Sequence, residues 1–138
     1  MAITYAVKKI RNPKGDEETN YFHAQAIKTG EYNFEDMMAD IAHSTTVTEA
    51  DAMAVLRSMK SYITRALLAG QVVVLQDIGR FQVSLQGKCY SADRLASEDF
   101  SPSSMIKGHR IVFRPEAKLK QSVASGISLK RVSSEALA

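Results

Sequence analysis

The stretch from Thr48 to Gly70 limits most sharply what this chain can become. Met53, Leu56, Met59, Ile63 and Leu67 recur at helical spacing, and Val55, Tyr62 and Ala66 widen the apolar stripe around most of the girth. Thr48 and Asp51 have capping-box spacing, and Gly70 stands where a left-handed C′ residue would end the helix. A helix over 49–69 that is this apolar needs cover on more than one side. The preceding segment offers little. Phe34, Met37, Met38, Ile41 and Ala42 predict a short helix over 34–43, with Asn33 as its cap and Glu35 and Asp36 in the first turn. Cover from a second subunit is therefore expected. The methionines of the stripe read as core rather than as a cofactor pocket.

The segments on either side read as β-structure. Residues 3–10 alternate loosely, Asn12-Pro13-Lys14-Gly15 reads as a turn, and Tyr21–Ile27 alternates again, which predicts an N-terminal strand pair. Val72–Leu75 is β-branched, Asp77-Ile78-Gly79 turns the chain, and Phe81, Val83 and Leu85 share one side of the next strand. Residues 87–106 are rich in serine and lack periodicity, a long connection of the kind that serves a function or stays irregular. His109–Arg114 reads as a returning strand. Pro115 then opens a helix over 116–124 with Leu119 and Val123 inward, stopped by Gly126. The tail 127–138 is expected to be extended or frayed.

Several classes of function find no support. There is no phosphate-binding glycine loop of either common type, and His23, His43 and His109 lack the spacing of metal ligands. Cys89 is the sole cysteine and reads as a bystander thiol in a reducing compartment. No apolar run approaches the ~18 residues that span a bilayer, and the first residues do not read as a secretory leader. No catalytic residue, metal, cofactor, small-molecule substrate or membrane partner is expected. The net charge of +3 conceals a division: residues 1–30 carry +2, 31–70 carry −3, and 71–138 carry +4. Within 107–131, Lys107, Arg110, Arg114, Lys118, Lys120, Lys130 and Arg131 face Glu116 alone. A local excess of that size suits a polyanion.

Two motifs give this pattern a family. Leu68-Ala69-Gly70-Gln71-Val72-Val73-Val74-Leu75-Gln76-Asp77-Ile78-Gly79-Arg80-Phe81 resembles the helix–strand–turn–strand stretch L-x-x-G-x-x-V-x-L-x-G-F-G-x-F of HU and integration host factor proteins. Phe113-Arg114-Pro115-Glu116-Ala117-Lys118-Leu119-Lys120 is similar to the F-R-P-G-x-K-L-K segment opening their last helix. The resemblance covers about residues 34–124, and residues 1–33 resemble the N-terminal extension of a longer, HU-like bacterial subfamily. Asp77 and Glu116 stand where the family has glycine, and Ile78 where it has an aromatic. The family's R-N-P arm-tip triplet has no counterpart in 87–108. Pro102 is the sole proline there, and neither arginine nor asparagine flanks it.

The resemblance implies an α+β, IHF-like fold: two helices, a three-stranded antiparallel sheet with a β-arm, a C-terminal helix, and here an added N-terminal β extension. One HU-like domain over 1–138 is expected, with the extension at 1–33, the core at 34–124, the arm at 87–108 and a flexible tail at 125–138. It further implies an intertwined homodimer that binds double-stranded DNA with low sequence specificity, organising or bending it in the cytoplasmic nucleoid. Arg80, Lys107, Arg110, Arg114, Lys118 and Lys120 are the expected DNA contacts, with Lys88 and Arg94 in the arm. A second reading is an HU-fold interaction module without DNA binding. The absent triplet and the arm acids Asp93, Glu98 and Asp99 favour it.

Overall fold

A computed structural model of the chain describes residues 1–10, 15 and 21–132. In order the elements are β1 (Ile3–Ile10), β2 (Tyr21–Ala26), α1 (Phe34–Ser44), α2 (Glu49–Leu68), β3 (Val73–Leu75), β4 (Gly79–Gly87), α3 (Ala92–Leu95), a 3-10 turn (Pro102–Met105), β5 (Ile106–Pro115), α4 (Ala117–Gly126) and β6 (Leu129–Arg131). The chain divides into two units, one of residues 1–37 with 122–138 and the other of residues 38–121. The expected turn at 12–14 and the last residues of the tail lie outside the described residues.

The helix ends form as their sequences dictate. The Asn33 side chain accepts from the Asp36 N–H at 3.0 Å, and the Asp36 carboxylate accepts from the Asn33 N–H at 3.2 Å. Thr48 accepts from the Asp51 N–H at 3.2 Å and donates to the Asp51 carboxylate at 2.7 Å. Each pair satisfies N-terminal donors that the helix itself cannot. Gly70 has φ +76°, the left-handed value expected past the end of α2.

In the unit of residues 38–121, β3, β4 and β5 form an antiparallel sheet in that order. Its register places Arg80 opposite Arg114, Phe81 opposite Phe113, and Val83 opposite Ile111. The two phenyl rings pack with centroids 4.9 Å apart at 42°. Odd-numbered β4 residues thus build an apolar side, and even-numbered ones a polar side. Gly79 belongs to the apolar set and is buried, because a Cβ there would lie 2.5 Å from the Phe113 ring and 2.6 Å from the Arg114 carbonyl.

The arm departs from a plain ribbon. β4 and β5 run out to Gly87 and back from Ile106, with a register shift at Gln86/Gly87. Between them the tip folds on itself. Ser91 caps α3, Tyr90 packs on Phe100 at 5.1 Å, and the Arg94 guanidinium sits 5.6 Å from the Phe100 ring centre. Serines dominate this segment because they cap and turn: Ser97 donates to the Arg94 carbonyl and Ser104 to that of Ser101.

In the other unit, β2, β1 and β6 form a second sheet, with β1 antiparallel to β2 and parallel to β6. The sequence expected an extended or frayed tail where Leu129–Arg131 pairs with Ile3–Tyr5. The Ile3 N–H donates to the Ser128 carbonyl at 2.8 Å, and the Val132 N–H to that of Tyr5 at 2.9 Å.

Gly79→Ala should destabilise the protein by about 1–3 kcal/mol, since its methyl must displace the Phe113 ring or the β5 backbone. Urea unfolding followed by circular dichroism measures the change.

Candidate nucleic-acid interface

The polar side of the β4–β5 ladder is built by strand alternation alone. Arg80, Gln82, Ser84 and Gln86 oppose Arg114, Val112, Arg110 and Gly108 in register. Arg80, Arg110 and Arg114 are therefore on one side of the sheet, and all three are exposed. Arg80 and Arg114 are direct cross-strand neighbours, an arrangement in which like charges oppose folding. Among the described residues, neither makes an ion pair with an acid. No ion pair among the described residues offsets their repulsion.

Beyond Pro115 the first turn of α4 adds Lys118 and Lys120. A shallow groove of about 470 Å³ is lined by Arg80, Arg114, Glu116, Lys118 and Lys120. Its floor is fixed by contacts between the β3–β4 turn and the start of α4. The turn closes with the Ile78 N–H on the Leu75 carbonyl at 3.1 Å, and Asp77 takes φ +65°. Aspartate tolerates that left-handed conformation better than most residues, so it stands in for the family's glycine. The Asp77 N–H donates to Glu116 Oε2 at 2.9 Å, the Glu116 N–H donates to the Ile78 carbonyl at 3.0 Å, and Lys118 Nζ meets Asp77 Oδ1 at 2.9 Å. The two departures from the family's glycines therefore meet each other. Sequence reading named both and saw no link between them, because 39 residues separate the pair.

The eight cations singled out from the sequence do not form one set. Arg80, Arg110 and Arg114 share a sheet side, and Lys118 and Lys120 border the same groove. Lys118 is engaged by Asp77. Lys107 lies at the register shift, skipped between Gly87–Ile106 and Gln86–Gly108, and strand alternation takes it off the arginine row. Lys88 follows the end of β4, and Arg94 is turned onto Phe100 in the arm tip. Gln82 and Ser84, which the charge-led reading passed over, complete the polar side as hydrogen-bonding groups. Among the described residues no cluster of His, Cys, Asp and Glu could hold a metal ion, and no helix is long and apolar enough to cross a membrane.

The chain's likeness to known proteins agrees with this architecture. A family model named HU-HIG, described as an HU domain fused to wHTH, Ig or glycine-rich motifs, matches residues 1–131. Eighteen chains of solved structures match as well. One, provisionally described as a bacterial DNA-binding protein from Bacteroides vulgatus ATCC 8482, aligns with TM-score 0.64 at 12% identity over 95% of this chain. That is a likeness of fold, and this chain spans 48% of the length of that one. No curated protein matches.

Removing the Glu116 carboxylate should loosen the floor of the groove. Glu116→Ala is expected to cost about 1 kcal/mol, the worth of one partly exposed hydrogen bond to a charged acceptor. In hydrogen exchange the Asp77 amide should lose protection while amides in the middle of β4 keep theirs.

Proposed function

The chain belongs to the HU-HIG family of HU domains, and from that premise we propose that it is a non-enzymatic architectural protein that binds duplex DNA. The observation that carries this reading is the exposed cross-strand pair Arg80–Arg114, which makes no ion pair with an acid among the described residues, with Arg110 four residues before Arg114 on the same side. A phosphate beside two such guanidinium groups relieves their mutual repulsion and releases counterions. Arg80, Arg110, Arg114 and Lys120 supply the main backbone contacts, and Lys118 joins them when phosphate displaces Asp77. Lys88, Arg94 and Lys107 are secondary contacts along the arm. Contacts of this kind position DNA without reading bases, so sequence preference is low. DNA is organised or bent as the arms engage it, and the protein works in the bacterial nucleoid of the cytoplasm.

The working unit is a homodimer of the intertwined, IHF-like kind. In the unit of residues 38–121, Val55 is 65%, Tyr62 70%, Leu85 63% and Ile111 63% exposed. Apolar side chains exposed to that degree on a helix and on the apolar side of the sheet call for a partner surface. The over-apolar helix in the sequence has the same explanation. The chain accordingly acts as one HU-like functional domain, with its β extension appended to the core.

One observation favours the alternative of an HU-fold interaction module. The arm tip is a folded knob in which Arg94 lies over Phe100, rather than an open tip led by an R-N-P triplet. A titration with random duplex DNA at low salt separates the readings, since the interaction module gives no shift at micromolar protein.

For the favoured reading, log affinity should fall with log salt at a slope of roughly −3.5 per protomer, from four phosphate contacts. A flat response would sink it. Arg110→Glu with Arg114→Glu should weaken binding to all sequences alike. Asp77→Asn removes a negative charge from beside the groove while keeping the turn, and should raise affinity for DNA several-fold at low salt. Sedimentation should return twice the 15.2 kDa chain mass.

A further inference from the structure

The sheet β2-β1-β6 has a charge composition unlike a neutral scaffold. Its strands contain Lys8, Lys9, Lys130 and Arg131 and not one aspartate or glutamate. Register sorts the residues onto two sides. Phe22 opposes Lys9, Ala24 opposes Val7, and Ala26 opposes Tyr5, while Tyr5 is also the partner of Arg131 on β6. One side therefore presents an aromatic beside a cation at each end, Phe22 with Lys9 and Tyr5 with Arg131, with Val7 and Ala24 between and Ile3 and Leu129 beyond Tyr5. Phe22 is 61% exposed, although a phenyl ring in water is unfavourable. Lys9 and Arg131 make no ion pair among the described residues.

We propose that this side of the sheet is a second nucleic-acid site, and that it takes a single strand rather than a duplex. Bases stack on Phe22 and lie over the apolar centre at Val7 and Ala24, while Lys9 and Arg131 hold phosphates at either end. Four residues of β1 separate the two aromatic–cation pairs, about 13 Å along an extended strand, far enough to engage separate phosphates. A duplex keeps its base faces stacked and would use the cations alone, leaving the phenyl ring unexplained. Burial against a second copy of the same surface is disfavoured, because it would bring like charges together with no acid on the three strands to pair them. The site lies wholly in the unit of residues 1–37 with 122–138, and it does not depend on the groove at Arg80 and Arg114.

The test uses fluorescence anisotropy with a labelled thymidine oligonucleotide of about 12 nucleotides, within the usual site size for such surfaces. The protein is the full chain with Arg80→Ala, Arg110→Ala, Arg114→Ala and Lys120→Ala, which removes the main contacts proposed for the groove side. Binding is expected to persist, to fall about tenfold on Phe22→Ala, and to survive Phe22→Tyr, which keeps a stacking ring. Lys9→Ala should weaken it and flatten its salt dependence. Duplex of equal length should compete poorly, and an oligonucleotide of abasic sites should bind at least tenfold more weakly. The proposal is overturned if the oligonucleotide does not bind, if Phe22→Ala binds like its parent, or if duplex or the abasic strand does as well. The last two comparisons need no variant at Phe22, so they decide the matter even if that substitution disturbs folding.

Discussion

Register between β4 and β5 governs everything that the unit of residues 38–121 can do. With Phe81 opposite Phe113 and Arg80 opposite Arg114, one ladder creates an apolar side and a cationic side at once. A slip of one residue would exchange them, turning guanidinium groups toward the apolar side and phenyl rings into water. Phenyl packing and the close approach at buried Gly79 hold the register against the repulsion that the two arginines exert across it. The apolar side thus stabilises what the cationic side strains. This is the sense in which core and interface are one construction, read from opposite faces of nine residues of β4.

Much of that construction was legible. Helical spacing located α1 and α2, Asn33, Thr48 and Gly70 marked their ends, and alternation after Gly79 sorted phenylalanine from arginine before any partner strand was known. These signals are local, and local signals survive translation into structure. What escaped was pairing at a distance. Leu129–Arg131 is only three residues long and forms its ladder with the opposite end of the chain, so nothing in its immediate neighbourhood announces a strand. Lys107 reads as an arm residue before the returning strand, whereas β5 already starts at Ile106 and alternation sets Lys107 off the row of Arg110 and Arg114. The arm tip shows no period because its order comes from serine caps and one aromatic pair, which fix turns without repeating.

Asp77 and Glu116 show how two departures from a family pattern become one feature. Taken singly, each replaces a glycine at a tight place and adds a negative charge beside a basic surface. Together they form a link from the β3–β4 turn to the first turn of α4, with the Asp77 N–H held by Glu116 and the Asp77 carboxylate held by Lys118. An exposed ion pair of this kind is worth little to stability, about 0–1 kcal/mol. In the proposed DNA-bound state phosphate would compete with Asp77 for Lys118. The link thus gives definition to the groove between the turn and α4.

Charge is distributed along the chain in a way that matches this division of labour. The acidic excess lies in residues 31–70, and β1, β2 and β6 carry only positive charge. A net charge of +3 is therefore the residue of two basic sheets offset by an acidic helical stretch. Long-range steering depends on the local field rather than the sum, because charges farther apart than about 10 Å are largely screened at ordinary salt. Each sheet has its own charge pattern, with arginines opposed across strands in one and cations beside aromatics in the other. The first arrangement matches a continuous line of phosphates, and the second matches bases that have left their stack.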